Sequence, residues 1–342
     1  MFENRSWTSH PACWTRHELL ERDDWSWELE SSQVSELLSA VQRCKDYWHR
    51  PHEMTRASFK LDGLARILAT VQERLEHGPG LAVIRGLPLD AWTEDQAACA
   101  FWGLSLYVGT PVSQSSGGDR IFHVRDERLP EGHPQARGPS SNRRLSFHTD
   151  RCDVIGFLCL RQAAEGGKND VVSSLRLYTE LCQTRPDWVE TLAKPFLYQR
   201  HNVDRGNDRP YYELPVFSSQ DGHFACFLLR VLIERAYAAD DTPQMSALQR
   251  EALDGLESLA ESKKLRHEFH QSRGDLVLLN NLVTLHRRTE FHDPPDASLR
   301  RHLLRIWLSV PNSRPLDPRF EPAFGATEAG VIRGGMKPAE RV

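Results

Sequence analysis

The residues best suited to do chemistry in this chain are His148, Asp150 and His286. His148-Thr149-Asp150 lies in the segment "RRLSFHTDRCDVIGFLCL", where the sequence becomes strand-like. On a strand, side chains i and i+2 point to the same face, so the imidazole and the carboxylate would be aimed at one point. With His286 added, the set matches the two-histidine, one-carboxylate triad that holds a non-heme iron and leaves positions open. The pattern predicts an oxygen-using metalloenzyme.

The His-x-Asp pair is weak evidence by itself, because so short a pattern is common in surface turns. Phe147 before it and "VIGFLCL" after it place the pair at the end of a buried strand, where polar groups need partners. His286 is one of 15 histidines, and an arbitrary histidine more often serves packing or loop structure. What distinguishes His286 is the segment that follows it.

Arg301 and Arg305 stand four residues apart in the apolar segment "RRHLLRIWL". On a strand, this even spacing puts both side chains on one face, and two inward guanidiniums would require anionic partners. An arginine binds a carboxylate through two parallel hydrogen bonds, so a dicarboxylate cosubstrate would meet that requirement. The alternative is that both arginines are solvated charges on a surface strand.

The composition is that of an ordinary globular protein, with 342 residues, 39% of them hydrophobic and 26% charged. The formal charge of -4 gives no basic bias toward nucleic acid or an anionic membrane surface. No apolar run approaches the ~20 residues of a membrane span, and the N-terminus lacks the organisation of a signal peptide. Seven cysteines without a Cys-x-x-Cys pair indicate reduced thiols in a cytoplasmic protein. The sequence predicts no particular oligomeric state.

The order of elements predicts an α+β protein with a mainly β core, an antiparallel barrel or jelly roll flanked by helices. Residues 1–80 are predicted to be a helical, tryptophan-rich region packed on the core, and residues 81–312 the core itself. Helical insertions are expected at about 174–195 and 243–269. Residues 313–342 are predicted to be a loose C-terminal extension. A dinucleotide-binding domain is disfavoured, because β-α-β alternation and a Gly-x-Gly-x-x-Gly motif are both missing.

Several segments taken together resemble a known family. "FHTD" followed by "GG", then "GD", "NN", "LHRRT" and "RRHLLRIWL", resemble the taurine dioxygenase-like (TauD/TfdA) family of Fe(II)/2-oxoglutarate-dependent oxygenases in type and order. The resemblance runs from about Leu81 to Pro311. It implies a double-stranded β-helix fold, with iron bound by His148, Asp150 and His286.

The resemblance also implies how the cosubstrate 2-oxoglutarate is held. Arg301 matches the arginine that grips its distal carboxylate, and Arg305 matches a second arginine beside the cosubstrate or the substrate anion. The chain departs from the family after the Gly166-Gly167 turn, where many members have Thr or Ser. Asn169 can still donate a hydrogen bond to the cosubstrate.

The implied reaction consumes oxygen and 2-oxoglutarate, releases succinate and carbon dioxide, and oxidises an unactivated carbon. Halogenating relatives have Gly or Ala in place of Asp150, so its carboxylate favours hydroxylation, with desaturation or oxidative ring closure as alternatives. Two functions of other classes stay open: a zinc hydrolase that uses the same three side chains, and a non-catalytic binding barrel.

The substrate is predicted only by class. Candidate substrate-binding residues are Arg125, Asn142, Tyr212 and Arg230, with Gln114, Ser141 and Tyr211 as further candidates for the pocket wall. Each has a structural alternative, namely loop solvation, packing or surface charge. Arg125 and Arg230 indicate a small anionic molecule, such as an amino acid or another carboxylate. Cys152 is expected to be a small packing residue.

Overall fold

A computed structural model describes residues 7–130, 138–201 and 210–338. The helices are α1 (Arg16–Leu20), α2 (Ser31–Arg43), α3 (Gly63–His77), α4 (Glu94–Ser105), α5 (Ser174–Thr184), α6 (Pro186–Leu192), α7 (Arg230–Tyr237), α8 (Ala247–Ala260) and α9 (Glu321–Phe324). The strands are β1 (Ser26–Glu28), β2 (Leu81–Arg85), β3 (Thr110–Val112), β4 (Ile121–Val124), β5 (Val154–Arg161), β6 (Glu165–Gly166), β7 (Asn169–Ser173), β8 (Pro195–Gln199), β9 (Tyr211–Pro215), β10 (Phe217–Gln220), β11 (His223–Cys226), β12 (His267–Phe269), β13 (Leu276–Asn280), β14 (Thr284–Arg288), β15 (Phe291–His292) and β16 (His302–Ser309). The fold is a mixture of helix and sheet with a β-rich core, as the sequence predicts.

The largest sheet has the strand order β1-β2-β13-β5-β16-β3, and β4 also pairs with β16. β1 and β2 are parallel, whereas β2, β13, β5 and β16 pair with one another in antiparallel fashion. The central strands are mostly apolar, because both faces of this sheet are covered. Edge strand β1 belongs to the N-terminal stretch that was predicted to be helical.

A second sheet, with the order β12-β7-β14, lies against the inner face of the large sheet. Val171 and Phe269 of the small sheet pack with Ile155, Val277 and Leu279 of the large one in a shared apolar cluster. Because side chains alternate along each strand, every second residue of β5, β13 and β16 points into the space between the sheets. The candidate active site lies in that space.

Helices cover the outer face of the large sheet. Leu278, Leu304 and Ile306 of the sheet share a buried cluster with apolar side chains of α2, α3 and α4. α4 begins as its sequence predicts: the Thr93 hydroxyl accepts from the Gln96 N–H, and the Gln96 side chain accepts from the Thr93 N–H. A separate cluster joins α5, α6, α7 and α8 to strands β8 to β11.

The helical insertion expected at about 243–269 is shorter than predicted. α8 ends at Ala260, and His267–Phe269 forms β12, which pairs with β7. Helical spacing of apolar residues is a local signal, and it cannot register a strand partner that lies about a hundred residues away in the chain.

The C-terminal segment is packed on the core, so the prediction of a loose extension is wrong for residues 313–338. Arg333 is 2% exposed, and its Nε donates to Asp153 Oδ1 at 2.8 Å. Phe320 and Phe324 belong to the same buried cluster as α5 and α8. The Gly, Pro and charge content that indicated looseness belongs to tight turns and buried ion pairs instead.

All seven cysteines are free, in agreement with the expected reduced thiols. Within the described ranges, no helix is both long enough and apolar enough to cross a membrane.

We predict that Arg333→Ala lowers the free energy of unfolding by about 3–5 kcal/mol, because it leaves the Asp153 carboxylate buried without its partner. Urea denaturation followed by circular dichroism measures the loss. Arg50→Ala is a suitable control, since the Arg50–Glu53 ion pair is exposed and is expected to contribute about 1 kcal/mol or less. Equal losses in the two variants would contradict a stabilising role for the buried pair.

Candidate active site

His148 and His286 are joined through their backbones. The N–H of each donates to the carbonyl oxygen of the other at 3.0 Å, which forms an isolated antiparallel bridge. His286 lies in β14, but His148 lies in an irregular segment before β5, so the prediction of a His-x-Asp strand is wrong. The two imidazole centroids are 4.5 Å apart. The bridge, rather than strand alternation, brings the histidines together.

Asp150 completes a cluster of three ligand groups. Its Oδ2 lies 3.3 Å from His286 Nε2 and 4.0 Å from His148 Nε2, and one ligand atom of each side chain lies within 4.8 Å of the others. Asp150 Oδ2 is buried and has no hydrogen-bond partner among the described residues. A buried carboxylate oxygen in this state is poorly satisfied without a cation. The donor set therefore fits a metal ion bound by these three residues.

The protonation states also fit a metal. Burial, with a contribution from His286, lowers the pKa of His148 to about 4, so this imidazole is neutral near pH 7. His148 Nδ1 lies 2.9 Å from the Ser146 carbonyl oxygen, which can only accept, so Nε2 keeps its lone pair. Burial opposes ionisation of Asp150, but the close approach of the His286 imidazole and the charge of Arg305 outweigh it and hold its pKa below the usual range.

Asn281 positions the segment that carries Asp150. Its Oδ1 accepts from the Asp150 N–H at 3.0 Å, and its Nδ2 donates to Cys152 Sγ at 3.0 Å. Its own N–H donates to the Asp153 carbonyl oxygen at 2.9 Å. Burial raises the pKa of the Cys152 thiol well above its usual range, which fits a packing role rather than a nucleophile. In the sequence analysis, Asn281 appears only as one residue of the "NN" segment and has no role assigned to it.

Arg301 is a buried cation that lacks a complete set of partners. Its Nε has no hydrogen-bond acceptor within the described part of the chain. Burial lowers its pKa to about 10. It lines an inner cavity of about 50 Å³, whose wall also contains His148, Asp150 and His286. A guanidinium in this situation can bind an anion that enters the cavity.

Arg305 lines the same inner cavity, so the two arginines do face inward, as predicted. Its Nε donates to Gln114 Oε1 at 2.7 Å, and its Nη1 lies 3.7 Å from Asp150 Oδ1. Gln114 also donates to the Arg305 carbonyl oxygen at 3.0 Å, so it holds this arginine in place. Asn169 lines the cavity too, and one of its amide hydrogens is donated to Gln271 Oε1 at 3.1 Å.

An outer cavity of about 340 Å³ adjoins the inner one. His148, Asp150 and Arg305 lie in the walls of both cavities. The rest of the outer wall includes Arg144, His201, Tyr212, Leu229, Arg230, Trp307 and Met336. The indole N–H of Trp307 is buried and has no acceptor in the described structure. The wall of the outer cavity therefore contains a residue with an unused hydrogen-bond donor, together with His148 and Asp150.

Two of the four predicted substrate-binding residues, Tyr212 and Arg230, line the outer cavity. The Arg230 guanidinium already has carboxylate partners, because its three nitrogens form ion pairs with Glu234, Asp254 and Glu257. Arg230 therefore shapes the wall, and its charge is largely neutralised before any ligand binds. The sequence revealed the arginine but not its partners on two helices.

Arg125 and Asn142 are not among the residues that line either cavity. Arg125 Nε donates to Glu127 Oε1 at 2.7 Å, and Asn142 Nδ2 donates to the Phe291 carbonyl oxygen at 3.3 Å. Arg288, which sequence reasoning missed, lines the inner cavity and donates to the Asn142 carbonyl oxygen at 3.0 Å. In the sequence, Arg288 could have been noticed as the second of the two arginines that follow His286 directly in this mostly apolar region.

We predict that Asn281→Ala weakens Fe(II) binding by about 10- to 100-fold, because it removes the amide that holds Asp150 in place. Anaerobic titration with Fe(II) measures the affinity. Asn280→Ala is the matched control, since Asn280 is an equally buried amide that donates to the Leu75 carbonyl oxygen and to Glu76. If both variants lost the same Fe(II) affinity, Asn281 would have no special positioning role.

Residues 50–307 match the family described as taurine catabolism dioxygenase TauD, TfdA family. The FR-33289 synthase of Streptomyces rubellomurinus (strain ATCC 31215) is 28% identical over 336 residues, which cover 96% of each chain. The taurine hydroxylase-like protein SAT17 of Stachybotrys chartarum (strain CBS 109288 / IBT 7711) is 29% identical over 333 residues, which cover 90% of this chain and 84% of that protein.

A solved structure of asparagine oxygenase, in complex with Fe(II), (2S,3S)-3-hydroxyasparagine and succinate, has a similar fold. Its TM-score is 0.63 at 20% identity, and the match covers 83% of this chain and 93% of the other. The family match decides against the zinc hydrolase and the non-catalytic barrel, which the residues alone had left open. The chain belongs to the TauD/TfdA family and is an Fe(II)/2-oxoglutarate-dependent oxygenase.

Proposed function

We propose that this oxygenase hydroxylates an unactivated carbon of a small anionic or amino-acid-like molecule, with Fe(II) held by His148, Asp150 and His286. The observation that carries the proposal is the buried Oδ2 of Asp150, which accepts no hydrogen bond from the described residues and lies beside two imidazole nitrogens. We also propose that the two facing sheets form the double-stranded β-helix of the family. When bound, iron and 2-oxoglutarate supply the oxidising chemistry, with succinate and carbon dioxide as products.

The inner cavity is the proposed site of 2-oxoglutarate. Arg301 would bind its distal carboxylate, because a buried guanidinium without a complete set of partners is best satisfied by a bidentate anion. Asn169 offers its second amide hydrogen to the same molecule. Arg305, held by Gln114, lies in the walls of both cavities, where it can orient the cosubstrate toward the metal ligands.

The outer cavity is the proposed substrate chamber. A molecule in it would lie beside His148 and Asp150, which form part of its wall. The Trp307 indole N–H and the Arg305 guanidinium are donors that suit an anionic group. The names of the similar proteins agree with this class, since one refers to taurine and another to asparagine. Asp150 supports hydroxylation, because a carboxylate fills the ligand position that halogenating relatives leave open.

We predict that Asp150→Ala abolishes the weak visible charge-transfer band expected on anaerobic addition of Fe(II) and 2-oxoglutarate, together with substrate-coupled oxygen uptake. The reason is that the variant removes the anionic metal ligand.

In the same titration, Arg301→Met is expected to keep Fe(II) binding but to need at least about tenfold more 2-oxoglutarate, since a hydrogen bond to a charged group is worth about 1.5–3 kcal/mol.

Arg300→Met is the matched control for Arg301→Met. Arg300 is the neighbouring arginine, is partly exposed, and donates to the Pro295 carbonyl oxygen at 3.1 Å. It should titrate like the wild type. Full coupled activity in Asp150→Ala would overturn the metal assignment, and an unchanged need for 2-oxoglutarate in Arg301→Met would overturn the cosubstrate assignment.

We predict that amino acids, amino sulfonates or other small carboxylates stimulate succinate release, whereas analogues with the acidic group converted to an amide stimulate it less. Succinate assays over a panel of acids and their matched amides test this, because the proposed chamber donors favour an anionic group. Product mass then distinguishes hydroxylation, a gain of one oxygen, from desaturation or ring closure, a loss of two hydrogens. The substrate class is wrong if no carboxylate or sulfonate raises succinate release above the background.

A further inference from the structure

We propose that Glu94, His123 and His302 form a second metal site, suited to Zn²⁺ or a similar divalent transition metal, on the outer side of the large sheet. The three residues come from separate elements: Glu94 begins α4, His123 lies in β4, and His302 begins β16. One ligand atom of each lies within 4.8 Å of the others. The oxygenase reaction proposed above uses none of them.

This second site is separated from the inner cavity by the sheet itself. Leu303 and Arg305 of β16 line the inner cavity, whereas Leu304 packs in the cluster beneath α4. Side chains alternate along a strand, so His302 shares the outer face with Leu304. His123 is paired with Leu304 across the β4–β16 ladder, which places its side chain on the same outer face.

The carboxylate of Glu94 lies near both rings. Its Oε1 is 3.6 Å from His123 Nδ1, and its Oε2 is 3.5 Å from His302 Nδ1. Around zinc with bonds of ~2.0–2.1 Å, neighbouring ligand atoms lie roughly 3.3 Å apart, so each of these two carboxylate–imidazole separations is close to the required value. His123 Nδ1 and His302 Nε2 are hydrogen-bonded at 2.8 Å, so the rings must turn apart slightly to exchange that bond for metal–nitrogen bonds.

The two imidazoles can supply nitrogen ligands. His123 Nδ1 and His302 Nε2 share one hydrogen bond, so one of these two facing nitrogens accepts it with a lone pair that a metal ion could use instead. Two imidazoles with one carboxylate suit zinc and the later first-row metals, whereas magnesium and calcium prefer oxygen ligands alone.

Solvent can reach the proposed second site from one side, and the positive charge of Arg161 next to it disfavours the binding of a cation. The side chains of Glu94 and His123 are each 45% exposed and that of His302 is 2% exposed, so water can complete the coordination. Arg161 Nη2 lies 3.4 Å from His302 Nδ1, and its Nε donates to the Arg300 carbonyl oxygen. The guanidinium must move aside when metal binds, so Arg161→Gln is expected to tighten the site.

The test is a Zn²⁺ titration of the whole chain by calorimetry and thermal melting. His286→Ala provides the background, because it disables the proposed iron site. We expect this variant to bind one Zn²⁺ per chain and to gain thermal stability from it. Adding His123→Ala should weaken Zn²⁺ binding at least about tenfold, as expected for the loss of a ligand, and should remove the gain in melting temperature.

His49→Ala in the same background is the matched control. His49 Nδ1 lies 2.7 Å from Asp95 Oδ2, an exposed histidine–carboxylate pair that involves the same helix but belongs to no three-ligand group among the described residues. It should bind Zn²⁺ like the background. The proposal is overturned if the background binds no Zn²⁺, if His123→Ala leaves binding unchanged, or if Arg161→Gln weakens it. None of these results bears on the iron site, which is tested in the chain that retains His286.

Discussion

Two reciprocal backbone hydrogen bonds between His148 and His286 determine where the proposed active site of this oxygenase forms. These bonds hold the irregular segment before β5 against β14, a strand of the small sheet. They thereby bring the two imidazoles together at the end of the space between the sheets. Asn281 then fixes Asp150 beside them. The inward arginines of the last long strand face the same space. Without the bridge, these elements would still pack, but the three ligand groups would have no common point.

The chemistry of the site could be predicted from the sequence better than its geometry. His148, Asp150 and His286 were recognisable by type and order, and the predicted inward orientation of Arg301 and Arg305 agrees with their position in the cavity wall, although Arg301 lies just before the last strand. The local conformation around His148 was not predictable, because a single bridge to a distant residue leaves no periodic pattern. The same applies to β12 and to the packed C-terminal segment. Their partners lie far away in the chain, whereas sequence patterns report on neighbours.

The buried arginines show why charge alone does not reveal function. Arg333 and Arg287 are buried against the carboxylates of Asp153 and Asp170, and they stabilise the fold. Arg230 is neutralised by three carboxylates although it lines a cavity. Arg301 differs, because burial depresses its pKa and its Nε lacks a described partner. A buried cation that the protein leaves unsatisfied is more informative about a ligand than one that the protein has already paired.

The contacts that complete the proposed active site join residues that are far apart along the chain. Asn281 reaches Asp150 across 131 residues, and Gln114 reaches Arg305 across 191. Contacts of such long range form late in folding, because the entropy lost in closing large loops must first be offset by other native contacts. A chain that has formed only its helices and local hairpins would not yet have the proposed iron site. If these residues hold the iron, its capture would discriminate between the finished fold and its folding intermediates.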